Sequence, residues 1–526
     1  MNDGIEKRNA VKNGISRLIF SMLVFLLEAF FIINSFLSLN EYVIWIDRAT
    51  RVFAVLLVLV IYAMNKTSSM KTPWIILILV FPILGVGLYL IIGMDVNTKK
   101  MRKRYEDINQ RLIPVLKEDV GEIKTADVEN SLEKYDSHLY RVSQYLKQKS
   151  GYPVYQNTDI SYYSDALEAL EAQKEALRNA RKYIFMEYHA IEDSQSWQEL
   201  EVILAERAKA GVEVRVFYDD AGSIVFINMD FVKKMEALGI KCRVFNPFIP
   251  GLNVFLNNRD HRKITVVDGK VGFTGGYNLA DEYFNRTHPY GMWKDTGIRL
   301  TGDAVKSLTV TFLENWNAVK RESSLDKDIK KYIAKETYVS RENGFIQPYA
   351  DSPLDDEHVG EEVYIGMINQ ATKYCWFITP YLIITDEMIH AMGLAAKQGV
   401  DVRVITPGIP DKKIVYSVTR SYYNSLARNG VRIYEWTPGF CHCKMCITDD
   451  KAATCGTINL DYRSLYHHFE NGCLYIDCDA VMDTKKDFEN IMSQCREVTE
   501  QYTTGRSSGM RLGQLVLRLF APLLYI

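Results

Sequence analysis

The pattern His-x-Lys-x-x-x-x-Asp occurs twice in this chain of 526 residues. The copies start 442 − 261 = 181 residues apart, and their flanking sequences also match. The fixed positions are His261, Lys263 and Asp268 in the first copy, and His442, Lys444 and Asp449 in the second. Matching copies predict two half-sites that meet in one active centre, where paired histidines and lysines suit metal-free phosphodiester chemistry.

Shorter segments around the two motifs repeat in the same order. Residues 180–183, 209–216 and 238–244 resemble residues 371–374, 397–404 and 429–434, with offsets of 191, 188 and 191. Shared order and near-constant spacing predict a duplicated domain.

Within each half, strand-like and helix-like segments alternate, which is typical of an α/β fold. In the first half we expect strands at Tyr183–Tyr188, Val212–Tyr218 and Ile240–Phe245, and helices near 195–210 and 228–238. Each histidine motif is predicted to be a strand that leads into a glycine-containing turn. Alternation along that strand would place the histidine and the lysine on one face.

Long apolar runs lie mostly before residue 95, at Leu18–Leu39, Val52–Met64 and Trp74–Gly93. A helix needs about 20 residues to cross a hydrocarbon core of about 30 Å. The first and third runs reach that length, and the second is short enough to be tilted, re-entrant or interfacial. We predict membrane helices at about 18–39, 43–64 and 74–93; a signal peptide for the first run and buried core helices are the alternatives.

The basic segment 99–104 directly follows the third run, so the positive-inside rule places the rest of the chain in the cytoplasm. The N-terminus is also basic, which favours an even number of crossings, whereas three runs are present. Two or three spanning segments therefore both stay open.

The formal net charge is −2 and the pI is about 6.5, without the basic surplus that is typical of nucleic-acid-binding domains. We therefore expect no nucleic-acid partner. Nine cysteines occur in no disulfide-scaffold spacing, which indicates reduced thiols.

Three of these cysteines, Cys441, Cys443 and Cys446, surround His442 and raise the alternative of a zinc site. Cys441 and Cys443 would point away from His442 along a strand, and paired Cys-x-x-Cys spacing is absent. Buried apolar thiols are the preferred interpretation. A redox-sensitive thiol pair stays an alternative, and neither a metal nor a cofactor is expected.

The two motifs, with the turns Gly275–Asn278 and Gly456–Asn459, resemble the phospholipase D superfamily and, within it, the bacterial cardiolipin synthases. Further resembling segments are 258–263, 274–283, 293–296, 379–381, 459–465 and 469–470, and 73–93 resembles the membrane module of that family. The resemblance extends from about residue 70 to the C-terminus. Three departures are the added run 18–39, Thr457 in place of the usual serine, and the cysteines around His442.

The resemblance implies two duplicated phospholipase D-type α/β/α domains that form one pseudo-twofold active site, preceded by N-terminal transmembrane helices. The expected division is a membrane region 1–95, a basic helical connector 96–150, catalytic domains 151–330 and 331–505, and an amphipathic tail 506–526. The tail could lie on anionic lipid or dock on the second domain. The resemblance also implies a multi-pass protein of the bacterial plasma membrane with cytoplasmic catalytic domains.

The chemistry expected of the paired motifs is phosphoryl transfer through a covalent histidine intermediate. Lys263 and Lys444 would hold the phosphoryl oxygens and offset the growing charge. One imidazole would attack phosphorus while the other moves protons, and the resemblance assigns these roles to His261 and His442, respectively.

Supporting roles are also implied by the resemblance. Acidic residues 25–35 positions after each histidine would orient the imidazoles, which points to Asp295 after His261 and Glu470 after His442. The motif aspartates, Asp268 and Asp449, would hold the strand and the turn. The side chains expected to bind phosphate or shape the turns are Asn278, Asn459 and Thr457.

The implied activity is cardiolipin synthesis, in which two phosphatidylglycerol molecules give cardiolipin and glycerol. The alternatives are a hydrolytic phospholipase D, a phosphatidyltransferase that uses phosphatidylethanolamine, a nuclease and a non-enzymatic scaffold. The expected partners are phosphatidylglycerol and anionic membrane lipids, and homo-oligomerisation stays open.

Overall fold

The fold is known from a computed structural model. It describes residues 42–90, 99–118, 124–227, 230–247, 258–319, 326, 328–334, 338–504, 513–514, 517–519 and 521. The predicted membrane helix at 18–39 lies outside the described residues.

Two mixed β-sheets form the centre of the described chain. The strands are β1 Thr158–Tyr163, β2 Tyr183–Tyr188, β3 Glu213–Asp219, β4 Lys241–Phe245, β5 Arg259–Asp260, β6 Lys263–Val267, β7 Val271–Gly275, β8 Met292–Lys294, β9 Gly297–Gly302, β10 Phe345–Asp351, β11 Tyr374–Ile378, β12 Leu382–Ile383, β13 Asp401–Pro407, β14 Arg432–Trp436, β15 Gly439–Cys441, β16 Met445–Thr448, β17 Ala452–Gly456, β18 Leu460–Asp461, β19 His468–Ile476 and β20 Cys495–Glu497.

Helices precede, connect and cover these strands. The α-helices are Tyr42–Ala63, Ser68–Val80, Pro82–Leu88, Lys99–Leu116, Thr125–Tyr135, Ser137–Ser150, Ala166–Arg178, Gln195–Lys209, Asp220–Ser223, Asp230–Ala237, Val305–Ala318, Val359–Gln370, Asp386–Lys397, Lys413–Ala427, Tyr462–Tyr466, Asp479–Ser493 and Thr499–Thr504. Single 3₁₀ turns span Asp281–Phe284 and Lys330–Tyr332.

The two sheets have the same strand order, as a duplicated domain requires. The first runs β1-β9-β7-β6-β2-β3-β4, and the second runs β10-β19-β17-β16-β11-β13-β14, with β20 added at its edge. In each sheet three strands are parallel, β2-β3-β4 and β11-β13-β14, and the motif strands β6 and β16 pair antiparallel with β2 and β11. The predicted α/β class and the duplication are confirmed.

The helix Val305–Ala318 lies in the core between the two halves, and each of its residues is buried. Its Thr, Asn and Glu side chains make this possible because they hydrogen-bond within the core. Asn315, for example, donates to Glu187 Oε1 at 2.7 Å and accepts from Tyr105 at 2.7 Å. Tyr105 belongs to the helix Lys99–Leu116, so the basic connector packs directly on the catalytic halves.

The strands and helices predicted in the first half agree with the structure to within about two residues. The strand Tyr183–Tyr188 has the predicted bounds. One detail differs, because β6 begins at Lys263 and β16 at Met445, so neither motif histidine lies in its motif strand. Each histidine occupies a short connection between two strands.

Helices occupy the predicted positions 43–64 and 74–93 in part, as Tyr42–Ala63, Ser68–Val80 and Pro82–Leu88. Among the described residues, no helix combines the length and the apolar character that a membrane crossing requires. The third apolar run is divided at Phe81, whose φ of −127° and ψ of 74° are not helical. The physical reason is Pro82, which disfavours helical geometry at the preceding residue.

Three helices form a packed unit before the basic connector. Ala54, Ile61, Ile78, Val86 and Tyr89 are buried together in a small apolar cluster. Gly85 allows the close approach of two of the helices, since a Cβ there would lie 2.6 Å from Ile78 Cα. We call the segment Tyr42–Leu88 the N-terminal helical unit.

The described part of the C-terminal tail docks on the second half of the catalytic region. Arg518 donates to Ser425 Oγ at 2.9 Å, and its guanidinium lies 4.4 Å from the ring centre of Tyr422. Ala521 is buried. For these residues the structure favours the docking alternative over a lipid-bound amphipathic helix.

Candidate active site

Two short parallel strand pairs join the halves at the catalytic centre. Strand β5 pairs with the start of β19, which places Arg259 beside His468. Strand β15 pairs with β8 in the same way, which places Phe440 beside Trp293. Each pair ends just before a motif histidine on one strand and an acidic residue on the other.

The consequence is that each histidine faces the acid of the other half. His261 Nδ1 lies 2.8 and 2.9 Å from the two carboxylate oxygens of Glu470, and His442 Nδ1 lies 2.7 Å from Asp295 Oδ2. The spacing along the sequence had suggested the acid of the same half for each histidine. The structure corrects that pairing because β5 and β15 align with strands of the opposite half.

These hydrogen bonds fix the orientation of both rings. An imidazole that donates its Nδ1–H to a carboxylate keeps the lone pair on Nε2, where a nucleophile or a base needs it. Backbone bonds add to this, since His261 N donates to Phe469 O at 2.9 Å and His442 N donates to Lys294 O at 2.7 Å.

The two carboxylates are held by different neighbours. Glu470 accepts hydrogen bonds from Thr457 Oγ1 and Ser464 Oγ, both at 2.5 Å. Asp295 accepts from the backbone of Thr296 at 2.9 Å and packs so closely on Gly276 that a Cβ there would overlap its carboxylate. Burial raises the pKa of Asp295 to about 6. The hydroxyl of Thr457 thus supports the acid that orients His261.

The motif lysines lie beside the two histidines. Lys263 Nζ donates to His261 O at 2.7 Å, and Lys444 Nζ donates to His442 O. Both lysines are almost fully buried. Burial lowers the pKa of Lys263 to about 7 and that of Lys444 to about 8. A phosphodiester anion bound between them would favour the charged ammonium forms.

The pKa values of the two histidines are also lowered by burial and by the nearby lysines. Burial lowers the pKa of His261 well below its usual value, and the nearby ammonium groups of Lys263 and Lys444 lower it further. The same causes lower the pKa of His442. Without a bound anion these surroundings favour the neutral form of both rings, and a bound phosphodiester would favour protonation of one of them.

The motif aspartates lie at the far ends of the motif strands, away from the imidazoles. Asp268 accepts backbone N–H bonds from Arg181, Lys182 and Tyr183 at 2.7–2.8 Å. Asp449 accepts equivalent bonds from residues 372–374 at 2.6–2.8 Å. These contacts explain why the Ala-x-Lys-Tyr segments repeat, since they supply the amides that each aspartate binds.

The two turn asparagines differ in their contacts. Asn278 accepts from Ala190 N at 3.1 Å and donates to Tyr283 at 2.8 Å, so it connects the turn to the end of β2. Asn459 Oδ1 is buried and has no hydrogen-bond partner among the described residues. Whether either side chain binds phosphate stays a prediction.

Sequence reasoning missed two further histidines of the site. The rings of His189 and His468 lie 4.9 and 5.5 Å from that of His261, measured between centres. His189 Nδ1 lies 2.7 Å from Asp260 O. Neither residue belongs to the repeated motif. The available signals were the end of a strand at Tyr188, just before His189, and the segment Phe469-Glu470, just after His468.

The cysteines near His442 are buried in the apolar core. Cys375 Sγ and Cys446 Sγ lie 3.6 Å apart, and Cys441 and Cys443 are inaccessible to solvent. Within the described ranges, the group with metal-ligand spacing contains no cysteine and consists of His261, His468 and Glu470. This arrangement is that of an imidazole–carboxylate site rather than a thiolate zinc site.

Comparisons with known proteins agree with this geometry. The family model described as "Cardiolipin synthase, PLD-like domain" matches residues 174–316 and 364–492, and "Phospholipase_D-nuclease N-terminal" matches 52–93. An uncharacterized protein of Streptococcus mutans is 41% identical over 468 residues, 88% of this chain and 99% of that protein. A cardiolipin synthase of Halalkalibacterium halodurans is 30% identical over 469 residues, 89% and 91% of the two chains.

A solved structure shows the same fold. The phosphatidylserine synthase of Haemophilus influenzae aligns with a TM-score of 0.55 and 16% identity, covering 73% of this chain and 98% of that one. With the two PLD-like matches and the relative at 30% identity over most of both chains, the chain belongs to the cardiolipin synthase family of phosphatidyltransferases in the phospholipase D superfamily.

Proposed function

We propose that this protein makes cardiolipin and glycerol from two molecules of phosphatidylglycerol through a phosphatidyl-histidine intermediate. The observation that carries the proposal is the pair of crossed imidazole–carboxylate contacts, each beside a buried lysine. Two equivalent imidazoles allow one to bond phosphorus while the other handles protons, which a two-step transfer requires.

In the first step, Nε2 of His261 attacks the phosphorus of the donor lipid. The bond from phosphorus to the glycerol oxygen breaks, and protonated His442 gives its proton to that oxygen. Lys263 and Lys444 offset the charge that grows on the two non-bridging oxygens. Glycerol leaves, and the phosphatidyl group stays on His261.

In the second step, neutral His442 takes the proton of the terminal hydroxyl of a second phosphatidylglycerol. The hydroxyl oxygen forms a bond to phosphorus, and the bond from phosphorus to His261 breaks. Cardiolipin leaves, and His442 is protonated again for the next cycle. Glu470 and Asp295 hold the rings in place through both steps.

Incubation of the purified protein with phosphatidylglycerol vesicles, without added metal, should give cardiolipin and glycerol in equal amounts. Mass spectrometry of the lipids and an enzymatic glycerol assay measure the two products. Phosphatidic acid in place of cardiolipin would show that water is the acceptor, and the hydrolytic alternative would then replace this proposal. Addition of phosphatidylethanolamine tests the alternative that this lipid serves as the second substrate.

We further propose that the N-terminal region holds the enzyme at the cytoplasmic face of the plasma membrane, with catalytic domains at 151–330 and 331–505. Apolar side chains of the N-terminal helical unit support this, since Leu56 and Leu59 are 56% and 59% exposed. These side chains lie on one helix face, three residues apart. Such an exposed apolar face is characteristic of a lipid contact.

The N-terminal helical unit also contacts the active-site region. Met70 packs against the main apolar core, and one cavity is lined both by Thr67 and Met70 of this unit and by Tyr466. Tyr462 and Tyr466 belong to the short helix that carries Ser464, which supports Glu470. Lipid contact at this unit would therefore bring the membrane surface close to the catalytic centre.

A photo-reactive benzoylphenylalanine at position 56 should form adducts with lipid when the enzyme is illuminated in native membranes. The matched control places the same group at Val202, which is 60% exposed on a helix of the first catalytic half. Mass spectrometry of the labelled peptides measures lipid adducts. Equal labelling at the two positions would contradict the proposed lipid contact.

A further inference from the structure

The pseudo-twofold symmetry of the site is broken at the residues that flank the two histidines. The strand pair before His261 presents Arg259 and His468, whereas the equivalent pair before His442 presents Phe440 and Trp293. One side of the site is thus cationic and polar, and the other is aromatic. Two sides with different chemistry indicate two different parts of the substrates.

The aromatic side forms a wall around His442. The ring of Phe440 lies 4.9 Å from that of Trp293, and the rings of Tyr283 and Trp293 lie 5.3 and 5.4 Å from that of His442. Tyr381 extends the wall outward at 6.2 Å from Phe440. Such rings pack against the carbon-bound hydrogens of a glycerol chain but cannot neutralise a phosphate.

The exposed side chain of Lys412 lies at the outer end of this wall. Lys412 Nζ is 5.9 Å from the ring centre of Tyr381. The adjacent Asp411 accepts from the hydroxyl of Tyr381 at 2.5 Å and from the backbone N–H of Lys412 at 2.7 Å. After burial and the two motif lysines, Lys412 further lowers the pKa of His442.

The chemistry of the proposed reaction places a second anion on this side. The acceptor hydroxyl must approach His442, which takes its proton. In phosphatidylglycerol that hydroxyl is attached to a three-carbon chain whose other end bears the acceptor's own phosphate. Free glycerol, which leaves in the first step, carries no such phosphate.

We propose that the aromatic wall and Lys412 form the acceptor subsite, in which Lys412 binds the phosphate of the second lipid. The inference rests on the proposed function and explains how the enzyme selects a lipid alcohol as acceptor. The bond changes are those of the second step, and Lys412 takes part in none of them. It attracts a phosphate anion as a positive point charge.

The test compares two reactions of one enzyme. In the first, phosphatidylglycerol vesicles give cardiolipin. In the second, the same vesicles and radiolabelled glycerol give labelled phosphatidylglycerol, because glycerol replaces the lipid as acceptor. Lys412→Gln should slow cardiolipin formation on the order of ten-fold. Glycerol exchange should change by much less, because that acceptor has no phosphate.

Two further variants make the outcome decisive. Lys412→Arg keeps the charge and should restore most cardiolipin formation, while Lys413→Gln removes a neighbouring exposed lysine and should leave both reactions unchanged. Equal loss of both reactions in Lys412→Gln, or full retention of both, would overturn the acceptor subsite. Failure of the proposed function would be seen separately, as absence of cardiolipin with the wild-type enzyme.

Discussion

Alanine in place of His261 should abolish cardiolipin formation, with a loss of at least about 10⁴-fold. The reason is that the variant has no atom to form the covalent bond to phosphorus, and His442 is oriented by Asp295 rather than by Glu470. The product assay with phosphatidylglycerol vesicles measures the loss. His390→Ala, at an exposed helix position, is the control and should retain full activity.

His442→Ala should also abolish cardiolipin formation, but a second substrate distinguishes it from His261→Ala. A phosphatidyl ester of p-nitrophenol has a leaving group that departs without a proton, so the first step no longer needs His442. His442→Ala should therefore release one equivalent of nitrophenolate and accumulate a labelled phosphatidyl enzyme. His261→Ala should do neither.

Absorbance of nitrophenolate and mass spectrometry of the intact enzyme measure the burst and the adduct. A burst with His261→Ala and none with His442→Ala would reverse the two roles. Adduct formation by both variants would exclude a single dedicated nucleophile.

Much of this protein was predictable from the sequence because the relevant signals are local or repeated. The two motifs, the Gly-containing turns and the alternating strands of the first half follow from short patterns of residues. The duplicated Ala-x-Lys-Tyr segments even correspond to a specific contact, since Asp268 and Asp449 bind their backbone amides.

The pairing of histidines with acids could not be predicted in this way. Glu470 lies nearer to His442 along the chain but contacts His261, because the strand pairs β5·β19 and β15·β8 join opposite halves. Such a contact depends on how two domains dock, and spacing within one domain carries no information about it.

The break within the third apolar run was not predicted, for a different physical reason. Apolar content alone predicted one helix over 74–93, but Pro82 divides the run, and the helices on either side pack on each other at Gly85. Hydrophobicity measures a preference for an apolar environment and does not determine whether a helix is continuous. The proline was the local signal that should have had more weight.

The crossed pairing makes a further prediction, for the two acids that orient the histidines. Glu470→Gln should reduce cardiolipin formation by about 10²–10⁴-fold, because the amide can present its N–H group to His261 and favour the wrong tautomer. Asp295→Asn should cause a comparable loss through His442. Both losses are measured with the phosphatidylglycerol assay.

The p-nitrophenyl ester then separates crossed pairing from pairing within each half. If Glu470 orients His261, Glu470→Gln should slow the nitrophenolate burst, because the nucleophile itself is disturbed. Asp295→Asn should retain the burst and slow only the later turnover, because His442 is not needed to release nitrophenolate. Pairing within each half would give the opposite pattern for the two variants.

A matched control separates this effect from a general loss of structure. Glu361 is also buried and accepts hydrogen bonds from Thr385 and Tyr466, but it contacts neither histidine. Glu361→Gln should therefore lower thermal stability without a selective effect on the burst. If Glu361→Gln slowed the burst as strongly as Glu470→Gln, the loss would reflect packing, and the orienting role of Glu470 would be rejected. A selective loss in Glu470→Gln alone means that the first half-site works only when the second half supplies its acid.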